Sequence, residues 1–525
     1  MLKHLSADEK YRVFLSLLSL IGLAFVFIAT SKYGAGVSSD AARNLSTADS
    51  LIAGKGFVDM LGGPFVLWPP LYPLIIAGIS LATSLHTFVA AWYLNILLYG
   101  INIWLAGWWL YLIFRDQPAY AAIGSIVFLF SRSMLRIHAN VASEPLFESL
   151  LLLFLLAAAS YLRAGDAGTL WSMCLTAGLA SLQRYLGVVL LGVAILVILR
   201  REGIRGILRG AVPWLVACLP IVAWVTLHNM PNGGTLFGPR ELGDMLPLQN
   251  ISLALTKMLW WFVPRWGPLD WLVLRPWVPL VVGTGLLSLL SRRHHWRSWL
   301  EPVAGELVWP ALAFGFVYCI LVAFTVVTAD HLDLTSDRYY VILLPIVLVV
   351  LLITLERLVL NRLRSRKRLH RLAPAILIVL WFAYPAFAVF SYLQDAVARG
   401  EPTNYNIANS AQFREMRVVK AAESILQSDP GAVVYSNYVN IVWFIFGHPV
   451  AVLPFEDSSL SRDQRLTALE RNYPEWPATP GYIIWFTPNQ YHHIVAPDEL
   501  ETIADLHLLF DDKTGQVYRV EPLVH

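Results

Sequence analysis

The sequence predicts a multi-pass α-helical membrane protein of about eleven transmembrane helices, with a small α/β domain outside the membrane. Three observations predict it. The chain of 525 residues is 57% hydrophobic and only 14% charged, whereas a soluble chain carries about 25% charged residues. Apolar runs suited to crossing about 30 Å of hydrocarbon recur through the first three quarters of the sequence. The remainder, 394–525, has ordinary charge, turn prolines and period-two apolar patterning. Such a composition excludes a water-soluble globular protein, a disordered chain and a nucleic-acid binder. The net charge of +3 names no partner. Cys174, Cys218 and Cys319 all lie in apolar runs, so neither a disulfide framework nor a CxxC metal site is spelled. The 20 Trp and 21 Tyr suit many membrane–water interfaces.

The apolar runs place spans at 11–30, 88–114, 118–131, 145–162, 169–183, 185–200, 211–228, 277–290, 308–328, 339–358 and 373–393. The first follows Lys10 and Arg12 as a signal peptide would. It lacks a small-residue cleavage site and is followed by further spans, so it reads as an anchor. Basic clusters mark cytoplasmic loops. They are Lys3/Lys10/Arg12, Arg200/Arg201/Arg205/Arg209, Arg292/Arg293/Arg297 and the run from Arg357 to Arg371. All fall on one side only if Pro69–Ser84 does not span. The N-terminus is then cytoplasmic, and 32–87, 132–144, 229–276, 329–338 and 394–525 face outside. Two domains follow: 1–393 in the membrane and 394–525 extracytoplasmic.

Within the outer domain, Ala432–Ser436, Tyr482–Phe486 and His507–Phe510 read as strands, and 409–427 as a helix capped near Asn409/Ser410. It spells no Gly-rich phosphate loop, triad or metal cluster. His492 and His493, being adjacent, point to opposite sides of a strand and do not form a joint metal site.

Charges near a bilayer are expensive and mark candidate sites. Those at span ends outside the basic loops all map to the outer face: Asp40, Arg43, Glu144, Arg184, Asp330, Asp333, Asp337 and Arg338. Asp40 opens Ala41–Ala53, whose apolar residues at 41, 45, 48 and 52 share one helical face before Gly54. This is an amphipathic helix on the outer surface, with Asp40 as an N-cap, a reacting carboxylate or both. Ser143-Glu144-Pro145 reads as a helix start with Ser143 as cap. Arg184 reads equally as an interfacial anchor, and Arg338 as a partner of Asp337 or a snorkelling side chain. His138 and Arg136 read as interface residues.

Together, Ser39-Asp40-Ala41-Ala42-Arg43, Gly54-Lys55-Gly56-Phe57 and Pro69-Pro70-Leu71-Tyr72-Pro73 resemble the start of the GT-C fold membrane glycosyltransferases. The similarity is to the protein mannosyltransferase, lipid A aminoarabinose transferase and RgtA/B/C/D-like groups. Ser143-Glu144-Pro145-Leu146 and the block from Arg338-Tyr339 to Pro345 resemble later parts of the same group, so that the likeness covers about 1–360. The resemblance implies a bacterial cell-envelope enzyme of the plasma (inner) membrane, with a polyprenyl-phosphate-linked sugar as donor. Its acceptor would be a glycan, lipid or protein hydroxyl. It puts Asp40 at the catalytic aspartate and Arg43 at a donor-phosphate contact. Leu67 and Trp68 stand where the family usually carries charged or polar residues, so Arg184 or Arg338 would supply the missing charge.

A phosphodiester leaves as an anion that planar guanidinium groups bind well, and a carboxylate can take the hydroxyl proton. The expectation is therefore Asp40 as general base, Arg43, Arg184 and Arg338 on the donor phosphate, and inversion at the sugar. Glu144 would orient the acceptor or hold a divalent metal, whose need stays open. The rival classes are a lipid or glycan transporter or flippase, which would show inverted repeats, and a non-catalytic envelope assembly protein.

Overall fold

The computed structural model describes residues 6–238, 258, 260–262, 302–328, 338–354, 367–400, 408–456, 461–489 and 493–523. The span expected at 277–290, together with Asp330, Asp333, Asp337 and His492, lies outside them. The chain divides into two compact units.

The first unit comprises Met1–Ile28, Val66–Tyr72 and Tyr93–Gln394. Its helices are α1 (Ala7–Ala29), most of α4 (Thr87–Ile113), α5 (Pro118–Leu129), α6 (Arg132–His138), α7 (Glu144–Ala164), α8 (Ala167–Gln183) and α9 (Val188–Ala223). A π-helical turn, Trp224–Asn229, and α10 (Met230–Gly233) follow. Beyond them come α11 (Pro302–Thr328), α12 (Arg338–Val341), α13 (Leu344–Thr354) and most of α14 (Lys367–Arg399). Among the described residues, five helical stretches are long and apolar enough to cross a bilayer, or six if the bent pair α5–α6 makes one span.

The long α9, with the 3-10 turn Tyr185–Gly187 before it and the π-helical turn after it, covers two of the expected spans, 185–200 and 211–228. Gly203, at φ 65°, breaks it, and the halves fold back on each other: Trp214 donates to the Leu191 carbonyl at 2.9 Å. Gly210 admits this, since a Cβ there would stand 2.7 Å from Ile198 Cδ1. The basic residues Arg200–Arg209 flank the break, as a loop between spans requires. α7, α8, α9 and α11 pack together around fully buried Phe147, Phe154, Tyr161, Phe314 and Tyr318. Leu17, Leu20, Leu219 and Phe316 point outward and are more than half exposed, the pattern of helices solvated by lipid.

The second unit comprises Ala29–Phe65, Pro73–Trp92 and Asp395–His525. It holds α2 (Ser39–Ile52), most of α3 (Leu71–Thr83), α15 (Ala411–Arg414), α16 (Arg417–Gln427), α17 (Val439–Phe446), α18 (Arg462–Asn472) and α19 (Pro497–Leu500). Its strands are β1 (Val433–Ser436), β2 (Val450–Val452), β3 (Gly481–Phe486), β4 (Ala504–Asp512) and β5 (Gly515–Pro522), in the order β2-β1-β3-β5-β4. β2, β1 and β3 run parallel; β5 and β4 continue antiparallel. Tyr435, Ile483, Val520 and Leu500 belong to the core on the sheet.

Three local readings are corrected. The helix expected over 409–427 is two, α15 and α16, with Met416 extended between them. Asn409 does not cap it. Its amide accepts from Val37 N at 3.0 Å and donates to the carbonyls of Tyr33 and Ala35, fastening the segment after α1 to the C-terminal region. The third concerns α2, which does not rest on one apolar face. Asn44, Ser46 and Thr47 are buried along with Ala41, Leu45 and Ala48, because α2 packs on α17.

Candidate functional site

In the first unit, the residues that matter meet where α7 begins and α8 ends. α8 stops at Gln183, and Arg184 turns extended (φ −150°, ψ 138°) before a 3-10 turn, Tyr185–Gly187, leads into α9. The elbow is tight: a Cβ on Gly187 would fall 2.1 Å from the Ala180 carbonyl oxygen. This return aims Arg184 at the start of α7. Its Nη1 lies 2.5 Å from Glu144 Oε1 and 3.1 Å from Ser143 Oγ. Gln183 Nε2 donates to the Ser143 carbonyl at 2.8 Å. Ser143 makes no side-chain cap; its hydroxyl accepts from Arg184 instead, which corrects the expected cap. The pair is nearly dry, with side-chain exposures of 15% for Arg184 and 4% for Glu144.

Arg338 opens α12. Its charge acts on both Glu144 and Arg184. It donates to the Tyr339 hydroxyl at 2.8 Å and lies 4.9 Å from that ring. Tyr318 of α11, fully buried, donates to the Tyr339 carbonyl at 3.0 Å and so steadies the turn that carries Arg338. Two guanidinium groups thus share the field of one carboxylate, and the three side chains together carry +1. In a dry setting that arrangement suits an anion.

A further network holds the start of α7 from below. Asn102 Nδ2 donates to the Pro145 carbonyl at 2.9 Å and lies 3.0 Å from His138 Nε2. Ser149 Oγ donates to Asn102 Oδ1 at 2.5 Å. His138 Nδ1 lies 2.7 Å from the Met134 carbonyl, which assigns the proton to that nitrogen. His138 is fully buried, so its part is structural rather than interfacial.

In the second unit, Ser38 caps α2 by accepting from Ala41 N at 3.3 Å. Asp40 is therefore not the cap. It stands in the first turn, where the helix dipole favours an anion. Arg43, one turn along, is ion-paired to Asp59, a residue the sequence did not single out. Asp59 is buried in a small hairpin: its Oδ1 accepts from Leu61 N at 2.9 Å, and Phe65 N donates to the Phe57 carbonyl. Gly62, at φ 77°, completes the turn. Deeper on α2, Asp49 accepts from the Thr87 hydroxyl at 2.8 Å; burial pushes its carboxyl above the ordinary value, against the Thr87 hydrogen bond and nearby His86.

Among the described residues no group of three or more His, Cys, Asp or Glu side chains is placed to hold a metal ion. Glu144, the one sequence candidate, already has a guanidinium at hydrogen-bond distance. The described residues thus offer no set of donors for a resident metal.

The sequence thus picked Glu144, Arg184 and Arg338, which the fold brings together, and Asp40 with Arg43 on α2. It missed Asp59, Gln183, Tyr318 and Tyr339. Asp59 left one signal, an acid three residues ahead of Gly62-Gly63, the composition of a tight turn.

No protein-family profile matches the chain, and no curated protein matches it. Solved structures do. ArnT from Cupriavidus metallidurans bound to undecaprenyl phosphate superposes with a TM-score of 0.55 at 14% identity, over 96% of this chain and 98% of that one. The same protein in the apo state gives 0.55 at 14% identity, over 98% of each chain. The Archaeoglobus fulgidus oligosaccharyltransferase in complex with Zn and sulfate gives 0.53 at 12%, over 89% of this chain and 68% of that one. The chain has the GT-C fold of these proteins, a multi-pass helical membrane body with a small C-terminal sheet.

Proposed function

We propose that this chain is an integral-membrane glycosyltransferase, moving a sugar from a polyprenyl-phosphate donor to a hydroxyl on a glycan, lipid or protein. One observation carries the reading. Arg184 and Arg338 share the field of Glu144 in a nearly dry setting, in a fold whose solved example ArnT holds undecaprenyl phosphate. Guanidinium groups bind phosphate oxygens through paired N–H donors.

In the proposed reaction the bond from the sugar C1 to the phosphate oxygen breaks, and a bond from C1 to the acceptor oxygen forms. The electron pair of the broken bond leaves with the polyprenyl phosphate. Arg184 and Arg338 stabilise that developing charge, as preorganised donors do in a site that excludes water. Glu144 keeps Arg184 in place, a role its contact favours over acceptor binding. Arg43, its guanidinium paired with Asp59, would be a further contact to the donor phosphate. Asp40 takes the acceptor proton, an effect worth about 10²–10⁴-fold. A single displacement inverts the anomeric centre.

The membrane body would occupy 1–393, and the region 394–525 would be an extracytoplasmic domain of an envelope protein in the plasma membrane, with a cytoplasmic N-terminus. The test offers purified protein a panel of polyprenyl-phosphate sugars and reads products by mass spectrometry. Transfer by the wild type, lost by orders of magnitude in Asp40→Asn with lipid binding kept, supports the reading. Wild-type turnover in Asp40→Asn removes Asp40 as base; movement of intact lipid without a new glycosidic bond favours a flippase.

A further inference from the structure

A second place in the first unit has the chemistry of a ligand site. A cavity of about 340 Å³ opens between the N-terminal end of α1, the C-terminal end of α4 and the start of α5. Lys10 and Arg115 line it beside Tyr11, Phe14, Tyr111 and Ala122, and among the described residues no acid does. Of the two acids of the α1 first turn, Asp8 is bonded to two of the lining residues and Glu9 folds back on Ser6. Asp8 accepts from the Tyr111 hydroxyl at 2.7 Å and from Arg115 Nη2 at 3.0 Å. Glu9 accepts from the Ser6 amide and hydroxyl at 2.7 and 2.8 Å. Asp116 follows Arg115 in sequence but does not line the cavity. Lys10 is exposed and makes no ion pair among the described residues.

The depth of the cavity is given by α1 itself. Its outward apolar residues begin at Val13, 41% exposed, and continue through Leu17 and Leu20. Lys10 therefore stands where hydrocarbon gives way to headgroups. Arg12 stacks over Trp108 at 4.8 Å, which fits the same interface. The walls are apolar toward Phe14 and Ala122 and cationic toward Lys10 and Arg115, the polarity of a phospholipid.

We propose that this cavity binds one anionic phospholipid, its phosphodiester on Lys10 and Arg115 and an acyl chain along Phe14 and Ala122. Asp8, held by Tyr111 and Arg115, offsets one of the two cations, and the positive charge that remains on Lys10 favours a phosphatidylglycerol-like lipid over a zwitterionic one. The site is independent of the glycosyl-transfer proposal. It is tested on the full-length protein by native mass spectrometry in equimolar phosphatidylglycerol and phosphatidylcholine. Wild type is expected to retain phosphatidylglycerol as its tightest lipid. Lys10→Gln, at an exposed position without an ion pair, should lower that preference about fivefold. Ala122→Phe, which fills the cavity, should release the lipid whatever its headgroup, with the melting temperature checked for both variants. Equal retention of the two lipids by the wild type overturns the proposal, as does an unchanged preference in Lys10→Gln or wild-type retention in Ala122→Phe.

Discussion

Two of the arginine–carboxylate pairs, one in each unit, differ in how the chain builds them. Arg184 and Glu144 come from the end of α8 and the start of α7, 40 residues apart, and each is nearly dry. Arg43 and Asp59 come from a short helix and a hairpin 16 residues away, with Arg43 more open at 23%. Both partners of the first pair could be named from sequence, but only the arginine of the second. The bilayer makes the difference. A charge at the end of a long apolar run is conspicuous because it is costly there, whereas Asp59 stands among glycines and looks like any turn residue.

Burial also sets the size of the expected effects. The largest belongs to Glu144→Gln, which leaves the Arg184 charge buried without its carboxylate. A loss of about 3–5 kcal/mol is expected, read as a fall in melting temperature and yield. The double change Glu144→Gln with Arg184→Met should recover much of that stability, since removing both charges is often near neutral. A double variant as unstable as the single would show that packing, not charge, holds this elbow.

Asp59→Asn breaks the second pair. Because Arg43 reaches solvent, the stability loss should be smaller, about 1–3 kcal/mol. Sugar transfer should fall further than stability explains if Asp59 fixes the guanidinium. A loss as large as that of Glu144→Gln would erase the contrast between the two regions.

The smallest effect is at Asp49. Its folded carboxyl titrates above the unfolded value because burial penalises the charge. Its stabilising contribution is therefore full at low pH and lost as pH rises through the folded value. Asp49→Asn should raise the melting temperature by about 1–2 °C at pH 7 and do nothing at pH 3, because Asn keeps an acceptor for Thr87. A rise that persists at pH 3 would point away from charge burial.

These contrasts track what could be read beforehand. The membrane body was legible because hydrocarbon demands long apolar runs, and the turn at Gly203 was legible from the arginines around it. β1, β3 and β4 were visible from alternation. β2, three residues long, has no period to read, and in β5 (GQVYRVEP) the adjacent Val517 and Tyr518 are both buried, which breaks the alternation. Caps misled twice. Ser143 has a cap's position yet bonds Arg184, and Asp40 yields the cap to Ser38, two residues earlier. In both places a tertiary or neighbouring partner won a hydrogen bond that local propensity assigns to the helix end. Tyr318 and Tyr339 were not legible as support for Arg338, because their contact is tertiary and an apolar span hides a buried tyrosine.

If the guanidinium groups beside Glu144 hold a lipid phosphate, Arg338→Ala exposes it, since that change spares the Arg184–Glu144 contact. Binding of undecaprenyl phosphate to purified wild type and variant, measured at fixed ionic strength, should weaken about tenfold or more in the variant while its melting temperature stays near that of the wild type. Unchanged affinity in a folded Arg338→Ala protein would contradict that role.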